Sequence, residues 1–206
     1  FIQEAKNNLH SAYEELFLRV CTSRTLPLLR NGQWSWAMVA SYLKKVTALE
    51  DMIAGGLYIV CGQVPRIREL LTLEVGNGPS TTRGIFLWNG SVIYLLRHHK
   101  AKRSTNREFY VARFLPARLG MVMVRYLACI RRLAQLLRRE QHGNHRQDQL
   151  GYDKHVLLSS NGKTWASSHI TTVLRAATAC VWKMELNVQQ YRQVTVGITE
   201  KHVREV

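Results

Sequence analysis

Gly84-Ile85-Phe86-Leu87-Trp88-Asn89-Gly90-Ser91-Val92-Ile93-Tyr94-Leu95-Leu96 decides the fold class. Both arms of this stretch are rich in β-branched and aromatic residues, which suit a pleated, half-buried surface. Between them, Asn89-Gly90 offers the positive φ angles that a two-residue hairpin turn requires. A third extended run, Glu108 to Leu115, ends at Pro116. The pattern predicts a small three-stranded antiparallel sheet, with Phe86, Trp88, Tyr94 and Phe109 in its core.

Helical periodicity lies on both sides of the sheet. Residues 3–20 place Leu9, Ala12, Tyr13, Leu16, Phe17 and Val20 on one stripe. Thr25 to Gln33, with Pro27 and Asn31-Gly32, is a connection. A long helix is expected from Trp34 to Val60, its buried side traced by Trp36, Val39, Ala40, Leu43, Val46, Leu49, Ile53 and Leu57. Gly55-Gly56 marks either a close helix crossing or a break. Downstream, Ala117 to Arg139 forms another long helix, with Val122, Met123, Tyr126, Leu127, Ile130, Leu133 and Leu137 inward. Arg131, Arg132, Arg138 and Arg139 crowd its C-terminal end, either as dipole partners or as contacts to a polyanion. His155 to Leu158 is a short extended piece before a Ser159-Ser160-Asn161-Gly162 turn. Ser167 or Ser168 caps a helix running to about Val181. Leu186 to Ile198 is β-branched enough for a strand, yet Tyr191, Val194 (or Thr195) and Ile198 keep helical spacing. The fold class is therefore α+β, mainly α-helical, with helices packed around a small three-stranded antiparallel sheet.

Cys61-Gly62-Gln63-Val64-Pro65-Arg66-Ile67-Arg68-Glu69-Leu70-Leu71 sets an arginine at the start of a short apolar helix. Pro65 suits the first helical position. Ile67, Leu70, Leu71 and Val75 anchor the turn. Arg66 is either a surface arginine or part of an anion site at a helix N-terminus.

The 206 residues carry a formal charge of +15, which points to a polyanionic partner. Seven of the cations (Arg97, Lys100, Lys102, Arg103, Arg107, Arg113 and Arg118) lie between residues 97 and 118, with Glu108 as the only acid. A rigid sheet would project such a turn toward phosphates. The alternative is a solvated loop. No apolar run is long enough to span a bilayer, and the basic residues do not form the amphipathic helix of a membrane-surface binder. Cys21, Cys61, Cys129 and Cys180 form neither a disulfide framework nor a zinc motif, which suggests a reducing compartment. No metal or cofactor is implied.

The order of parts resembles the catalytic domain of the tyrosine recombinases (phage-integrase-like), closest to the diverged fungal branch of crypton-like elements and RecQ-helicase-associated regions. The residues that carry the resemblance are Gly62-Gln63 to Glu69-Leu70, His98-His99-Lys100, Arg113-Phe114-Leu115-Pro116 and Tyr191-Arg192, within about residues 40–200. It implies that residues 33–206 are a truncated catalytic domain and residues 1–32 a linker or a remnant of an upstream helical domain. It also implies double-stranded DNA as partner, self-association on DNA, a nuclear location and integration or recombination of DNA. In that family a tyrosine attacks a DNA phosphate without metal or ATP. Two guanidinium forks neutralise the charge on the phosphoryl oxygens. By resemblance Arg66 and Arg192 are those arginines, and Lys100, with Lys102 as a rival, is the lysine near the leaving oxygen. Gln189 stands where the family commonly has His or Lys, and Gln193 where a His often follows. Arg97, Lys102, Arg103, Arg107 and Arg113 are the expected DNA contacts. The nucleophilic tyrosine is expected beyond Val206, and Tyr191 is expected to pack. Three readings stand: a recombinase, a degenerate DNA-binding module beside a RecQ-type helicase, and a basic helical RNA binder. The last is disfavoured because the sheet aromatics read as core.

Overall fold

In the computed structural model, which describes residues 5–60, 62–78, 80–98, 109–142 and 155–203, Asn89 and Gly90 take φ angles of 46° and 76°. They turn β3 (Ile85–Trp88) into β4 (Ser91–His98), and β5 (Phe109–Phe114) pairs with the far edge of β4. Both pairings are antiparallel, in register Ile85 with Tyr94 and Tyr94 with Arg113. The same Asn-Gly device closes two smaller hairpins. Asn31-Gly32 joins β1 (Leu29–Arg30) to β2 (Gln33–Trp34), where only a connection was expected. Asn161-Gly162 joins β6 (Ser159–Ser160) to β7 (Lys163–Thr164). The helices are α1 (Leu9–Cys21), α2 (Trp36–Ile59), α3 (Ile67–Leu71), α4 (Ala117–Arg125), α5 (Arg131–His142), α6 (Ser167–Trp182) and α7 (Val188–Val203). Among the described residues no helix is long and apolar enough to cross a membrane. The protein is thus mainly helical with small antiparallel sheets.

The chain divides into two compact units, with the boundary inside α2 and inside α4. The first holds Phe1–Glu50 and Met121–Arg146. Its core joins Leu28, Val39, Leu133 and Leu137, with Tyr13, Leu16, Phe17 and Val20 of α1 packed against them. This is the stripe that periodicity placed on α1 and on the long helix. The long helix is not uniform: Tyr126–Ile130 is a π turn between α4 and α5. Five residues at about 100° each place two α-helical side chains about 140° apart. The wider turn brings Tyr126 and Arg131 to one side, and Arg131 Nη1 approaches the Tyr126 hydroxyl at 3.5 Å. That hydroxyl donates to Glu50 Oε1 at 2.7 Å, and Arg138 lies 3.6 Å from Glu50 Oε2. Glu50 and Arg131, both 7% exposed, are thus buried as members of one network. Four expected core residues, Ala12, Trp36, Ala40 and Val122, are exposed instead. Trp36 and Val122 each begin or border a helical turn whose inward place is taken by a neighbour, Val39 and Met123 respectively.

The second unit holds Asp51–Gly120 and Gln147–Val206. Gly55 and Gly56 mark a crossing and leave α2 unbroken. A Cβ on Gly55 would lie 3.1 Å from Val173 of α6, and one on Gly56 2.9 Å from Leu119 of α4. His155–Leu157 runs antiparallel to Leu73–Val75, with Val75 N–H donating to the His155 carbonyl at 2.7 Å and Leu157 N–H to the Leu73 carbonyl at 2.9 Å. Ser167 and Ser168 are not the cap of α6. Ala166 holds that position, without a side-chain bond, because Ser167 is already helical. Helix α3 begins at Ile67, so Pro65 stands outside it and Arg66, with extended φ and ψ, occupies the N-cap.

The segment 186–198, open between strand and helix, is helical. Asn187 Oδ1 accepts the N–H groups of Gln189 and Gln190, and Gln190 Oε1 accepts the Asn187 N–H, all at 2.9 Å. This reciprocal capping box and the burial of Tyr191 outweigh the β preference of Val194-Thr195-Val196. Val194 and Ile198 of the expected stripe are exposed. Trp88 is the larger correction: it is 61% exposed, on the outer side of the sheet, while Tyr94 is fully buried. Phe86 is half-buried, and the Phe109 side chain lies outside the described residues.

Two substitutions test this packing. Asn187→Ala should lower stability by about 1 kcal/mol through loss of the cap. Tyr94→Phe should cost about 1–3 kcal/mol by leaving a buried carbonyl without its donor. Denaturant unfolding of the whole chain measures both.

Candidate nucleic-acid interface

The last carbonyls of a helix lack intrahelical partners. At the end of α2 the Val60 N–H takes the Gly56 carbonyl at 3.0 Å. Two tyrosines take others. Tyr94 of β4 donates to the Leu57 carbonyl at 2.8 Å, and Tyr191 of α7 donates to the Ile59 carbonyl at 3.4 Å. These bonds bring the sheet and α7 to the same helix end. Tyr58, from that last turn, is buried with its ring 6.1 Å from Tyr191. Trp182 stacks on the Tyr191 ring at 5.8 Å. Tyr191 is therefore a packing residue, as its position beside Arg192 suggested.

Arg113 and Arg192 border this aromatic wall, and Arg66 follows the segment that Arg113 holds. Arg113 shares the inner sheet face with Tyr94, its register partner, and donates from Nη1 to the Gln63 carbonyl. That bond ties β5 to the segment leading into Arg66. The Arg66 side chain is 39% exposed, and its Nη1 lies 3.6 Å from Glu69 Oε1. Arg192 is exposed on the first turns of α7, one residue beyond Tyr191. Burial raises the Tyr58 pKa, the Arg192 cation pulls it back and Tyr191 raises it further, so Arg192 acts on the end of α2. Gln189 is exposed one turn before Arg192, in the first turn of α7. Five residues make α3 too short to supply a useful dipole. Positive charge near Arg66 thus comes from guanidinium groups, not from a helix N-terminus.

Arg97 does not join them. It lies on the outer sheet face, where it donates to Thr82 Oγ1 at 2.6 Å and sits 5.8 Å from the Tyr110 ring centroid. Alternation along the strands puts Arg97 and Arg113 on opposite faces. Lys100, Lys102, Arg103 and Arg107 lie outside the described residues.

Sequence reasoning missed the tyrosine-to-carbonyl bonds and one polar pair. His169 Nε2 of α6 lies 2.7 Å from Asp51 Oδ1 of α2, and the Trp165 ring meets the His169 ring edge-on at 4.5 Å. Residues so far apart in the chain leave no local signal. Cys21, Cys129 and Cys180 are free thiols. Among the described residues no group of three or more His, Cys, Asp or Glu is placed to hold a metal ion.

Burial raises the pKa values of Tyr58 and Tyr191, and in the other unit of Tyr126 and of Tyr42, the last to about 12. In the unfolded chain these phenols ionise near pH 10. The fold favours the protonated form, so this contribution is complete below about pH 10 and is lost as pH rises through the higher folded values. Thermal melts should therefore show a tyrosine-linked fall in Tm only above about pH 10. Arg192→Gln should move one phenol, Tyr58, further upward in an ultraviolet difference titration.

No protein-family model and no solved structure matches the chain.

Proposed function

We propose that the chain binds duplex DNA through the basic side chains at the end of α2, as a tyrosine-recombinase-like domain. The observation that carries this reading is the tether between Arg113 and the Gln63 carbonyl. It holds the Arg66 segment against the inner sheet face beside the helix end that also receives Tyr191, the neighbour of Arg192. A charge of +15 supplies the long-range attraction. The order of parts (helix, Arg66 turn, three-stranded sheet, long helix, hairpin, helix, Arg192 helix) is compatible with the resemblance.

Strand cleavage would follow the chemistry that the resemblance implies. A tyrosine oxygen gives up its proton and forms a bond to phosphorus, the phosphorus–5′-oxygen bond breaks, and the 5′-oxygen takes a proton. Arg66 and Arg192 would hold the non-bridging oxygens by charge-assisted bonds. Lys100 would serve the leaving oxygen. Self-association on DNA and a nuclear location belong to the same reading.

A second reading, a DNA-binding module without cleavage beside a RecQ-type helicase, draws on two observations. Arg66 is engaged with Glu69, and the nearby phenols of Tyr58 and Tyr191 are buried with raised pKa values, which suits packing and not nucleophilic attack.

Fluorescence anisotropy with labelled duplexes over a salt series tests the proposal. Arg66→Ala and Arg192→Ala should each weaken binding equally across sequences and lower the salt slope by about 1. Binding that ignores salt would overturn it.

A further inference from the structure

The outer face of the three-stranded sheet is chemically unlike its inner face. Side chains alternate along a strand. Val92, Tyr94 and Leu96 of β4 are buried, so Ser91, Ile93, Leu95 and Arg97 face outward. The register sets Trp88 beside Ser91, Phe86 and Phe114 on either side of Ile93, and Tyr110 beside Arg97. Trp88 is 61% exposed, and Tyr110 and Phe114 are each 53% exposed. Trp88 and Phe114 come from the two edge strands, which lie about 9.6 Å apart. Their rings nonetheless meet edge-on at 6.1 Å, leaning together over the middle strand where Ser91 is small. Arg83 lies 5.2 Å from the Phe86 ring centroid and Arg97 5.8 Å from that of Tyr110. No Asp or Glu occurs among the described residues of β3, β4 and β5.

Large aromatic side chains exposed together on one face mark an interaction site, and their chemistry selects the partner. A duplex keeps its base faces stacked inside and offers phosphates, sugars and base edges but no free π-face. An unpaired base offers a π-face to any aromatic ring, and its phosphate suits an arginine beside that ring. Rings interleaved with guanidinium groups on an acid-free sheet are complementary to such a strand. We propose that this face binds the unpaired bases of single-stranded DNA. Trp88 with Phe114 forms one stacking station. Tyr110, four residues before Phe114 on β5, forms a second about 13 Å away. Arg83 and Arg97 take the adjacent phosphates. The choice of DNA over RNA rests on the reading of the chain as a DNA binder; the stacking face itself does not.

The test uses the whole chain, a labelled oligothymidylate, an oligouridylate of equal length and a duplex. Trp88→Ala, Tyr110→Ala and Phe114→Ala should each weaken oligothymidylate binding about 5- to 100-fold. Trp88→Phe should keep most of the affinity, and duplex binding should not change in any of the four. Arg66→Ala and Arg192→Ala should show the reverse pattern, so failure of the duplex proposal is separable from failure of this one. Circular dichroism checks that each variant folds, which is expected because the three rings are exposed. Unchanged oligothymidylate affinity in the alanine variants overturns the proposal. Tighter binding to oligouridylate than to oligothymidylate overturns its assignment to DNA. Conversion of an oligomer to a monomer by Trp88→Ala, with oligothymidylate binding intact, would identify the face as a contact between copies instead.

Discussion

The last turn of α2 buries Leu57 and Tyr58, and the carbonyls of a helix end need donors. Tyr94 and Tyr191 provide them, at Leu57 and Ile59. Each bond contributes only about 1 kcal/mol net, but a buried carbonyl left alone costs about 1–3 kcal/mol. The asymmetry weighs most at the buried Leu57 carbonyl, which Tyr94 serves. It also fixes geometry, because a phenol long enough to reach a carbonyl from β4 must come from one register of the sheet. Tyr94 is the register partner of Arg113, so the requirement that seats Tyr94 also aims Arg113 at the Gln63 carbonyl. Likewise, seating Tyr191 leaves Arg192, one residue on, outside in solvent. The basic groups around this helix end are positioned by the needs of its backbone.

The glycines upstream serve the same helix. Gly55 and Gly56 have no side chains to hold α6 and α4 away, and Val173 and Leu119 fill the space a Cβ would occupy. A Gly pair inside a helix costs roughly 1 kcal/mol per residue against Ala. The close approach returns contact along both neighbours. The Asp51–His169 pair bridges α2 and α6 by a polar link one turn earlier on α2.

In the other unit the organising group is a charge. Glu50, 7% exposed, would be expensive alone, and it is met by the Tyr126 hydroxyl and by Arg138. Arg131, equally buried, reaches the Tyr126 hydroxyl only because the π turn brings residues five apart to one side. Burial chiefly, with Arg131 opposing and Glu50 adding to it, pushes the Tyr126 phenol upward, so it stays a donor to the carboxylate.

Local chemistry was sufficient for the elements whose signals are local. Asn89-Gly90 and the flanking β-branched runs determined the hairpin, and apolar periodicity determined α1, α2 and the long helix through Leu133 and Leu137. The arginines at 66, 113 and 192 were legible as cations of a basic chain. What they face was not. Composition made Trp88 a core residue. Alternation along the strands, read against the burial of Tyr94, turned it outward, because a one-residue change of phase exchanges the two faces of a sheet. The same parity separated Arg97 from Arg113. Propensity could not choose between strand and helix for 186–198, since its β-branched residues also fit helical spacing. The Asn187–Gln190 cap and the burial of Tyr191 chose the helix. The sequence by itself determined the central hairpin and the amphipathic helices α1, α2 and the long helix, because those preferences act between near neighbours. Only the tertiary structure decided which side of the sheet is buried and which arginines share a face, because both depend on residues far apart in the chain.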